Sequence, residues 1–173
     1  IGVEASLTGH LVFSTLHTNS APETITRLLD MGLNPLNFSD AFLGVLAQRL
    51  TRRLCTKCRK EYSLSVDEFE TLTVDYGKEY FENSGIEYDK EMMLYQAGGC
   101  EKCSGTGYRG RMGIHELMEG TPEVKLMIKK RAGTEDILEQ AMKEGMSTLK
   151  QDGIMKVFQG ITDMAEVRRV CIN

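Results

Sequence analysis

The sequence predicts an α/β protein with a cysteine-bearing insertion and a helical carboxy-terminal tail. Three observations predict this class. A dense apolar stretch is followed directly by a capped helix, two Cys-x-x-Cys pairs flank an acidic stretch, and apolar residues beyond Glu119 recur at helical spacing. The 173 residues correspond to one domain or one and a half, and 41% hydrophobic residues suffice for a core.

The first two elements are predicted from residue type. Residues 1–9 predict the end of a helix that closes at Gly9. Residues 10–17 are dense in β-branched and aromatic side chains without clean alternation, which predicts a strand buried on both faces. Helix followed by buried strand is typical of an α/β sheet.

Two helices are predicted next. Ser20 and Glu23 fit a capping box, so a helix is expected to begin there and to stop at Gly32. A second helix is predicted from Pro35 through residue 46. Residues 47–54 fit a helix or a strand equally well.

Four of the five cysteines form two close pairs. Cys55 and Cys58 make the first, Cys100 and Cys103 the second, 41 residues intervene, and Cys171 is left over. Two such turns complete a tetrahedral sulphur shell around Zn²⁺. The odd count and the lack of a visible secretory signal argue against disulfides, and reduced free thiols are the alternative. A closed four-sulphur site has no position for substrate, so the predicted zinc is structural.

Basic and acidic residues are concentrated in separate segments of the chain. Residues 49–60 carry six basic residues and no acid, whereas residues 66–91 carry nine acids and two bases. This reversal, bracketed by the cysteine pairs, predicts an inserted zinc-binding subdomain over residues 55–105. Residues 1–54 then form one part of the core, and residues 106–173 return to it and end in a helical subdomain.

The segment after the second cysteine pair contains a misleading motif. Residues 105–110, GTGYRG, match the dinucleotide pattern G-x-G-x-x-G, but they follow a cysteine turn and precede the extended stretch 111–117. Because the pattern has meaning only between a strand and a helix, we discard it. Beyond it, four helices are predicted to begin near Thr121, Thr134, Ser147 and Thr162.

Histidines supply the candidates for chemistry. His17 ends the predicted strand, and ligands of α/β sheets bind at the carboxyl ends of strands. His10 lies seven residues earlier, so it faces the opposite side of that strand. His115 has no predicted role. No G-x-x-x-x-G-K-S/T phosphate loop occurs in the sequence.

Four blocks of the sequence carry a resemblance to a known family. They are residues 7–21 (LTGHLVFSTLHTNSA), 26–32 (TRLLDMG), 47–58 (AQRLTRRLCTKC) and 107–117 (GYRGRMGIHEL). These blocks resemble the ATPases of type II secretion and type IV pilus assembly. The first is similar to the histidine box of that family, and the others are similar to the segments that follow it and to the stretch after the second cysteine pair.

The resemblance implies a RecA-like P-loop ATPase core that assembles as a cytoplasmic homo-hexamer, peripheral at the bacterial inner membrane. By the same resemblance, this core would couple ATP hydrolysis to subunit addition through an inner-membrane platform protein. His17 would then sense the reacting γ-phosphate, supported by His10 and Thr15. Gln48 and Arg49 would line the nucleotide side, and the four paired cysteines would hold the metal.

The family's phosphate loop and Walker B carboxylate lie upstream of the matching blocks. We therefore expect this chain, which opens at Ile1 without an initiator Met, to be a carboxy-terminal portion. ATP and Mg²⁺ would belong to the full-length protein, and the portion alone would be inactive. The alternative is a non-enzymatic zinc adaptor or chaperone-like module. Nucleic-acid binding is disfavoured by the net charge of −4, and membrane association is expected only through partners.

Overall fold

The computed structural model describes residues 1–171, and these fall into two units. The first comprises residues 1–47 and 115–148, and the second comprises residues 48–114 and the described residues from 149 onward. In chain order, the helices and strands are α1 (Gly2–Leu7), α2 (Ala21–Asp30), α3 (Pro35–Ala41), β1 (Gly44–Leu54), β2 (Lys60–Ser63), α4 (Val66–Tyr76), α5 (Lys78–Phe81), β3 (Met93–Gln96), β4 (Tyr108–Glu119), α6 (Pro122–Lys129), α7 (Thr134–Lys143), α8 (Leu149–Phe158) and α9 (Met164–Val170).

The core of the first unit lies between helices. The Ser20 hydroxyl accepts a hydrogen bond from the Glu23 N–H and begins α2 as predicted, while the Glu23 carboxylate accepts from the Asn19 N–H. The apolar face of α2 then packs with α3, α6, α7 and the end of β4. The buried cluster contains Ala21, Ile25, Leu29, Phe38, Phe42, Met118, Val124, Ile128, Ile137 and Ala141.

The predicted strand over residues 10–17 is not formed, and this prediction was wrong. These residues adopt no regular structure, and their apolar side chains lie open to solvent, with Phe13 87% and Leu11 67% exposed. A buried strand needs neighbours that satisfy its backbone and cover its faces. Among residues 1–171, the strands pair as β1 with β4 and β2 with β3, so none adjoins this segment.

The second predicted helix is shorter than the sequence pattern indicated. It ends at Ala41, and Val45 and Leu46 belong to β1 instead. Their burial alternates along the strand, as expected where every second side chain faces the interior. Pairing of β1 with β4 also settles residues 47–54, which are strand. The chain just before β1 also packs closely against the chain just after β4, since a Cβ on Gly120 would lie 2.7 Å from the Phe42 carbonyl oxygen.

The second unit packs helices against a small antiparallel sheet. Strands β2 and β3 pair with Lys60 opposite Gln96 and Ser63 opposite Met93. Helix α8 contacts β3, α4 and α9 pack against α8, and α5 packs on α4. The buried cluster comprises Leu64, Leu72, Leu94, Val157 and Val167, with Tyr62, Phe69, Met92, Phe158, Met164 and Cys171 packed around it. Cys171 is thus part of the packing of this unit.

The four carboxy-terminal helices are present as predicted, with one change of cap. Asp163 caps α9 by accepting from the Glu166 N–H, whereas the hydroxyl of Thr162 donates to the Arg52 carbonyl. Helices α8 and α9 approach closely at Gly153, where an added Cβ would lie 2.9 Å from a methyl carbon of Val167.

The mixed α/β class is confirmed, and the three-part division at residues 54 and 105 stays a prediction. The predicted tail includes residues 172 and 173, which lie outside the described residues. Within residues 1–171, no helix combines the length and hydrophobicity needed to cross a bilayer.

Candidate functional site

The four paired cysteines converge on one point of the second unit. Their sulphur atoms all lie within 4.8 Å of one another. Cys55 Sγ lies 3.8 Å from Cys100 Sγ, and Cys103 Sγ lies 3.7 Å from Cys58 Sγ and 3.8 Å from Cys100 Sγ. A tetrahedral zinc with Zn–S bonds of about 2.3 Å has its sulphurs about 3.8 Å apart. The donor set and its spacing therefore fit a four-thiolate metal centre.

Two similar backbone turns present these sulphurs. In the first turn, the Cys55 carbonyl accepts from the N–H groups of Cys58 and Arg59. In the second, the Cys100 carbonyl accepts in the same way from Cys103 and Gly105. The paired backbone bonds close each Cys-x-x-Cys segment into a knuckle that points both of its sulphurs to the same side.

The environment of the sulphurs is uneven. The Cys103 sulphur accepts hydrogen bonds from the N–H groups of Cys100 and Gly107. These bonds, that from Cys100 most strongly, lower the pKa of Cys103 to about 6, although burial acts in the opposite direction. Burial and hydrogen bonding among the thiols raise the pKa of Cys58 to about 12. Four thiolates at this spacing repel one another, and a divalent cation compensates that repulsion. The cluster is therefore arranged to bind a cation with release of protons.

The two knuckles are pressed together at a glycine. A Cβ built on Gly98 would overlap the Cys58 carbonyl oxygen and lie 3.1 Å from its carbonyl carbon. Neither atom belongs to a flexible side chain, so only glycine permits this approach. Gly98 therefore sets the separation between the first knuckle and the chain that leads into the second.

Gly98→Ala is expected to force the knuckles apart and to weaken metal binding together with the second unit. We expect a loss of about 3 kcal/mol in the free energy of unfolding, at the upper end of the cost of overpacking, because backbone must move. Denaturant unfolding and a competitive zinc titration measure both effects. Gly133→Ala is the matched control, since a Cβ there meets no atom within 4 Å. Equal behaviour of the two variants would contradict the assignment.

The loop between α8 and α9 is bonded to the chain around the first knuckle. The Ile161 carbonyl accepts from the Leu54 N–H at 2.8 Å, and the Gly160 carbonyl accepts from the Arg59 guanidinium at 2.8 Å. Arg59 also stacks over the Tyr95 ring at 4.0 Å. The order of the carboxy-terminal helices is thereby linked to the order of the knuckle.

A buried carboxylate anchors α9, and the sequence pattern did not single it out. Glu166 is 1% exposed, and it accepts hydrogen bonds from the guanidinium groups of Arg52 and Arg169 and from the Arg52 N–H. Its i, i+3 spacing to Arg169 is visible in the sequence, whereas the pairing with Arg52 spans 114 residues. Although burial opposes ionisation, the two arginines lower the pKa of Glu166 to about 2.

The histidine segment lies in the first unit. His10, Thr15 and His17 are all exposed, and the Nδ1 atom of His10 lies 3.2 Å from both the Ala5 carbonyl and the Thr8 hydroxyl. Thr15 and His17 stand on the irregular segment that precedes α2. The structure therefore displays these three side chains to solvent, and their predicted roles stay predictions.

Gln48 and Arg49 lie on β1 in the second unit. They are adjacent on the strand, so their side chains point to opposite faces, with Gln48 exposed and Arg49 half-buried. The guanidinium group of Arg49 donates to the Gln48 carbonyl at 3.3 Å. Their predicted contact with a nucleotide also stays a prediction.

Known proteins match nearly the whole chain. The family model "Type II/IV secretion system protein" matches residues 1–169. The type IV pilus assembly ATPase PilB of Thermus thermophilus is 44% identical over 96% of this chain and 18% of its own length. The type II secretion system ATPase E of Vibrio cholerae is 44% identical over 98% of this chain and 31% of its own length. The chain thus spans less than a third of these relatives.

One solved structure shares the fold at lower identity. The pilus retraction motor PilT, solved with bound ADP, matches 99% of this chain and 35% of its own chain with a TM-score of 0.59 and 19% identity. At that identity the likeness concerns the fold alone, and it agrees with the mixed α/β class. On the family match and the identity to curated relatives, this chain belongs to the type II/IV secretion system protein family.

Proposed function

We propose that this chain is the carboxy-terminal part of an ATPase that powers type II secretion or type IV pilus assembly. The observation that carries the proposal is the identity of 42–44% to ATPases of both systems over almost all of its residues. The alternative of a non-enzymatic zinc adaptor explains the cysteines but not the match outside residues 55–105. The ATPase is therefore the function that the observations favour.

The four cysteines hold a structural Zn²⁺ in the proposed protein. Support comes from their mutual spacing near 3.8 Å and from the knuckle backbone described above. All four positions are filled by protein sulphurs, so the ion supplies no open coordination site to a substrate. Its contribution is to hold the second unit in one arrangement.

The ATP chemistry belongs to the full-length protein. ATP and Mg²⁺ are bound there mainly by a phosphate loop, for which this sequence offers no candidate. His17 acts on the reacting γ-phosphate, with His10 and Thr15 in support, and Gln48 and Arg49 line the nucleotide side. Exposure of the three histidine-segment side chains in this chain is consistent with a ligand or further protein covering them.

The same proposal includes the assembly. The full-length protein forms a cytoplasmic homo-hexamer, peripheral at the bacterial inner membrane, and drives subunit addition through a platform protein. Names of the relatives support the two systems, pilus assembly and type II secretion. Mass photometry of the full-length protein with nucleotide tests the hexamer, and a monomer under all nucleotide conditions contradicts it.

His17→Ala in the full-length protein is expected to lower the kcat of ATP hydrolysis at least tenfold and to leave ATP affinity within about twofold. This pattern follows when a side chain acts in the transition state and contributes little to ground-state binding. Steady-state kinetics and binding of a fluorescent ATP analogue measure the two quantities. His115→Ala removes the same side chain from an exposed position on β4 and serves as control. Unchanged kcat in His17→Ala would remove the assigned role.

The chain of 173 residues alone is expected to release no phosphate from ATP above a buffer blank. Catalysis of phosphoryl transfer depends on positioning the triphosphate with its Mg²⁺, and the sequence lacks the loop that does this. A malachite-green assay with Mg²⁺ and calorimetry with ATP measure turnover and binding. Phosphate release that disappears in the His17→Ala variant would contradict the expectation.

A further inference from the structure

Glu116 is a buried carboxylate to which the proposed nucleotide chemistry assigns no task. The residue is 3% exposed on β4. Two positions further along the same face, Met118 belongs to the apolar core of the first unit. A carboxylate in such surroundings is costly unless polar groups compensate it. The groups that hydrogen-bond to Glu116 therefore indicate the role of this carboxylate.

One such group lies at the beginning of α2. The Ala21 N–H donates to Glu116 Oε2 at 2.6 Å, and Ala21 is the fully buried first residue of the helix. The usual cap is already present, because Ser20 accepts from the Glu23 N–H. Glu116 thus binds a further N–H at the positive end of α2, and it reaches there from a strand 95 residues away in sequence.

The anchored residue, Ala21, lies four residues after His17. Hydrogen bonds link several residues between 18 and 24. The Thr18 and Thr24 hydroxyls lie 2.7 Å apart, and the Thr18 hydroxyl donates to the Ser20 carbonyl. The Glu23 carboxylate accepts from the Asn19 N–H. These hydrogen bonds join the residues after His17 to one another, and the bond from the Ala21 N–H to Glu116 joins them to β4. Residues 10–16, on the other side of His17, have no regular structure and are exposed.

We propose that Glu116 is a positioning residue for His17. Its carboxylate holds the first turn of α2, and the bonded network transmits that position to the turn that carries the imidazole. Without the carboxylate, the network keeps its internal hydrogen bonds but loses this bond to the strand, so His17 samples more orientations. The inference rests on the proposed function, in which His17 acts on the γ-phosphate.

A double-mutant cycle in the full-length protein tests this. Glu116→Gln is expected to lower kcat about tenfold with KM for ATP within twofold, because small displacements of a catalytic group cost rate more than binding. In the His17→Ala background the same change is expected to alter kcat less than twofold, since no imidazole remains to be positioned. A purely structural role would not produce this dependence on His17.

Several outcomes separate the inference from the proposed function. An equal loss of kcat in both backgrounds overturns the positioning role, as does full activity of Glu116→Gln when His17→Ala is impaired. Unchanged kcat in His17→Ala overturns the proposed role of His17 itself.

Glu116→Asp keeps the charge, retracts it by one methylene and replaces Glu116→Gln if that variant fails to fold. Glu119→Gln, at an exposed position of β4, is the control and is expected to match the parent.

Discussion

Removal of the proposed Zn²⁺ is expected to unfold most of the second unit. Structural zinc in zinc-finger peptides contributes about 10–16 kcal/mol of apparent binding free energy near neutral pH, which is comparable to the stability of about 5–15 kcal/mol of a typical protein. Two of the strands next to the knuckles, β2 and β3, have only four residues each, so they offer little independent stability. Chelation, Cys55→Ser and Cys100→Ser are expected to act alike.

The effect is expected to reach the carboxy-terminal helices. Residues 160–162 are bonded to Arg52, Leu54 and Arg59, which flank the first knuckle. When the first knuckle becomes disordered, residues 160–162 lose these hydrogen bonds. The loop between α8 and α9 is then no longer held to the chain around the knuckle. Hydrogen exchange is therefore expected to rise over residues 149–171 as well as over the knuckles.

Thermal melts and hydrogen exchange with and without chelator measure this. Cys171→Ser is the matched control, because it makes the same chemical change at the fifth cysteine, which packs against the core of the second unit outside the sulphur cluster. That variant is expected to melt close to the parent and to stay sensitive to chelator. Melting curves that coincide with and without chelator would contradict a structural metal.

Glu166→Ala is expected to cost about 3 kcal/mol of unfolding free energy. Breaking a buried ion pair by removing one partner typically costs 3–5 kcal/mol. The low end applies here because the Arg52 and Arg169 side chains are 47% and 53% exposed and can turn to water once the carboxylate is gone. The remaining cost comes from the Arg52 N–H, which loses its acceptor, and from the cavity left in the interior.

The same ion pair predicts an acid-dependent loss of stability. The pKa of Glu166 is about 2, below its ordinary value of 4.5, so the stability from its charge is present above about pH 4.5. It is lost as pH falls from there through about 2, because the unfolded chain takes up the proton first. The size of the shift corresponds to roughly 3 kcal/mol.

Denaturant unfolding at several pH values tests both statements about Glu166. The difference in stability between the parent and Glu166→Gln is expected to shrink as pH falls below 4.5. Glu70→Ala, which removes an exposed carboxylate from α4 of the same unit, is expected to change stability by less than 0.5 kcal/mol. A constant difference between parent and Glu166→Gln from pH 7 to pH 2.5 would show that the charge of Glu166 contributes nothing.

Local signals in the sequence predicted much of this structure. The cap at Ser20 works within one helical turn, so the residues that make it are visible together in the sequence. The same holds for the Thr121 cap of α6 and for the helical tail. The cysteine pairs are also local motifs, and the coordination preference of a single zinc ion predicted that they converge, as they do here.

Features that depend on distant residues were missed. The apolar pattern of residues 10–17 predicts a strand, but a strand exists only beside neighbours that satisfy its backbone. Helix α3 ends early because residues 44–46 pair in β1, which periodicity alone does not reveal. In the sequence, Glu116 and Glu166 look like ordinary exposed charged residues. Their burial becomes apparent only from hydrogen-bond partners that lie 95 and 114 residues away, Ala21 for Glu116 and Arg52 for Glu166.

Elemental analysis of the purified chain, together with its cysteine variants, examines the four-sulphur centre most directly. The parent and Cys171→Ser are expected to carry one zinc per chain after gel filtration, and Cys55→Ser and Cys100→Ser are expected to carry much less. Such a result would tie the ion to the four sulphurs that lie within 4.8 Å of one another. A parent chain without stoichiometric metal, prepared under reducing conditions without chelator, would contradict the account.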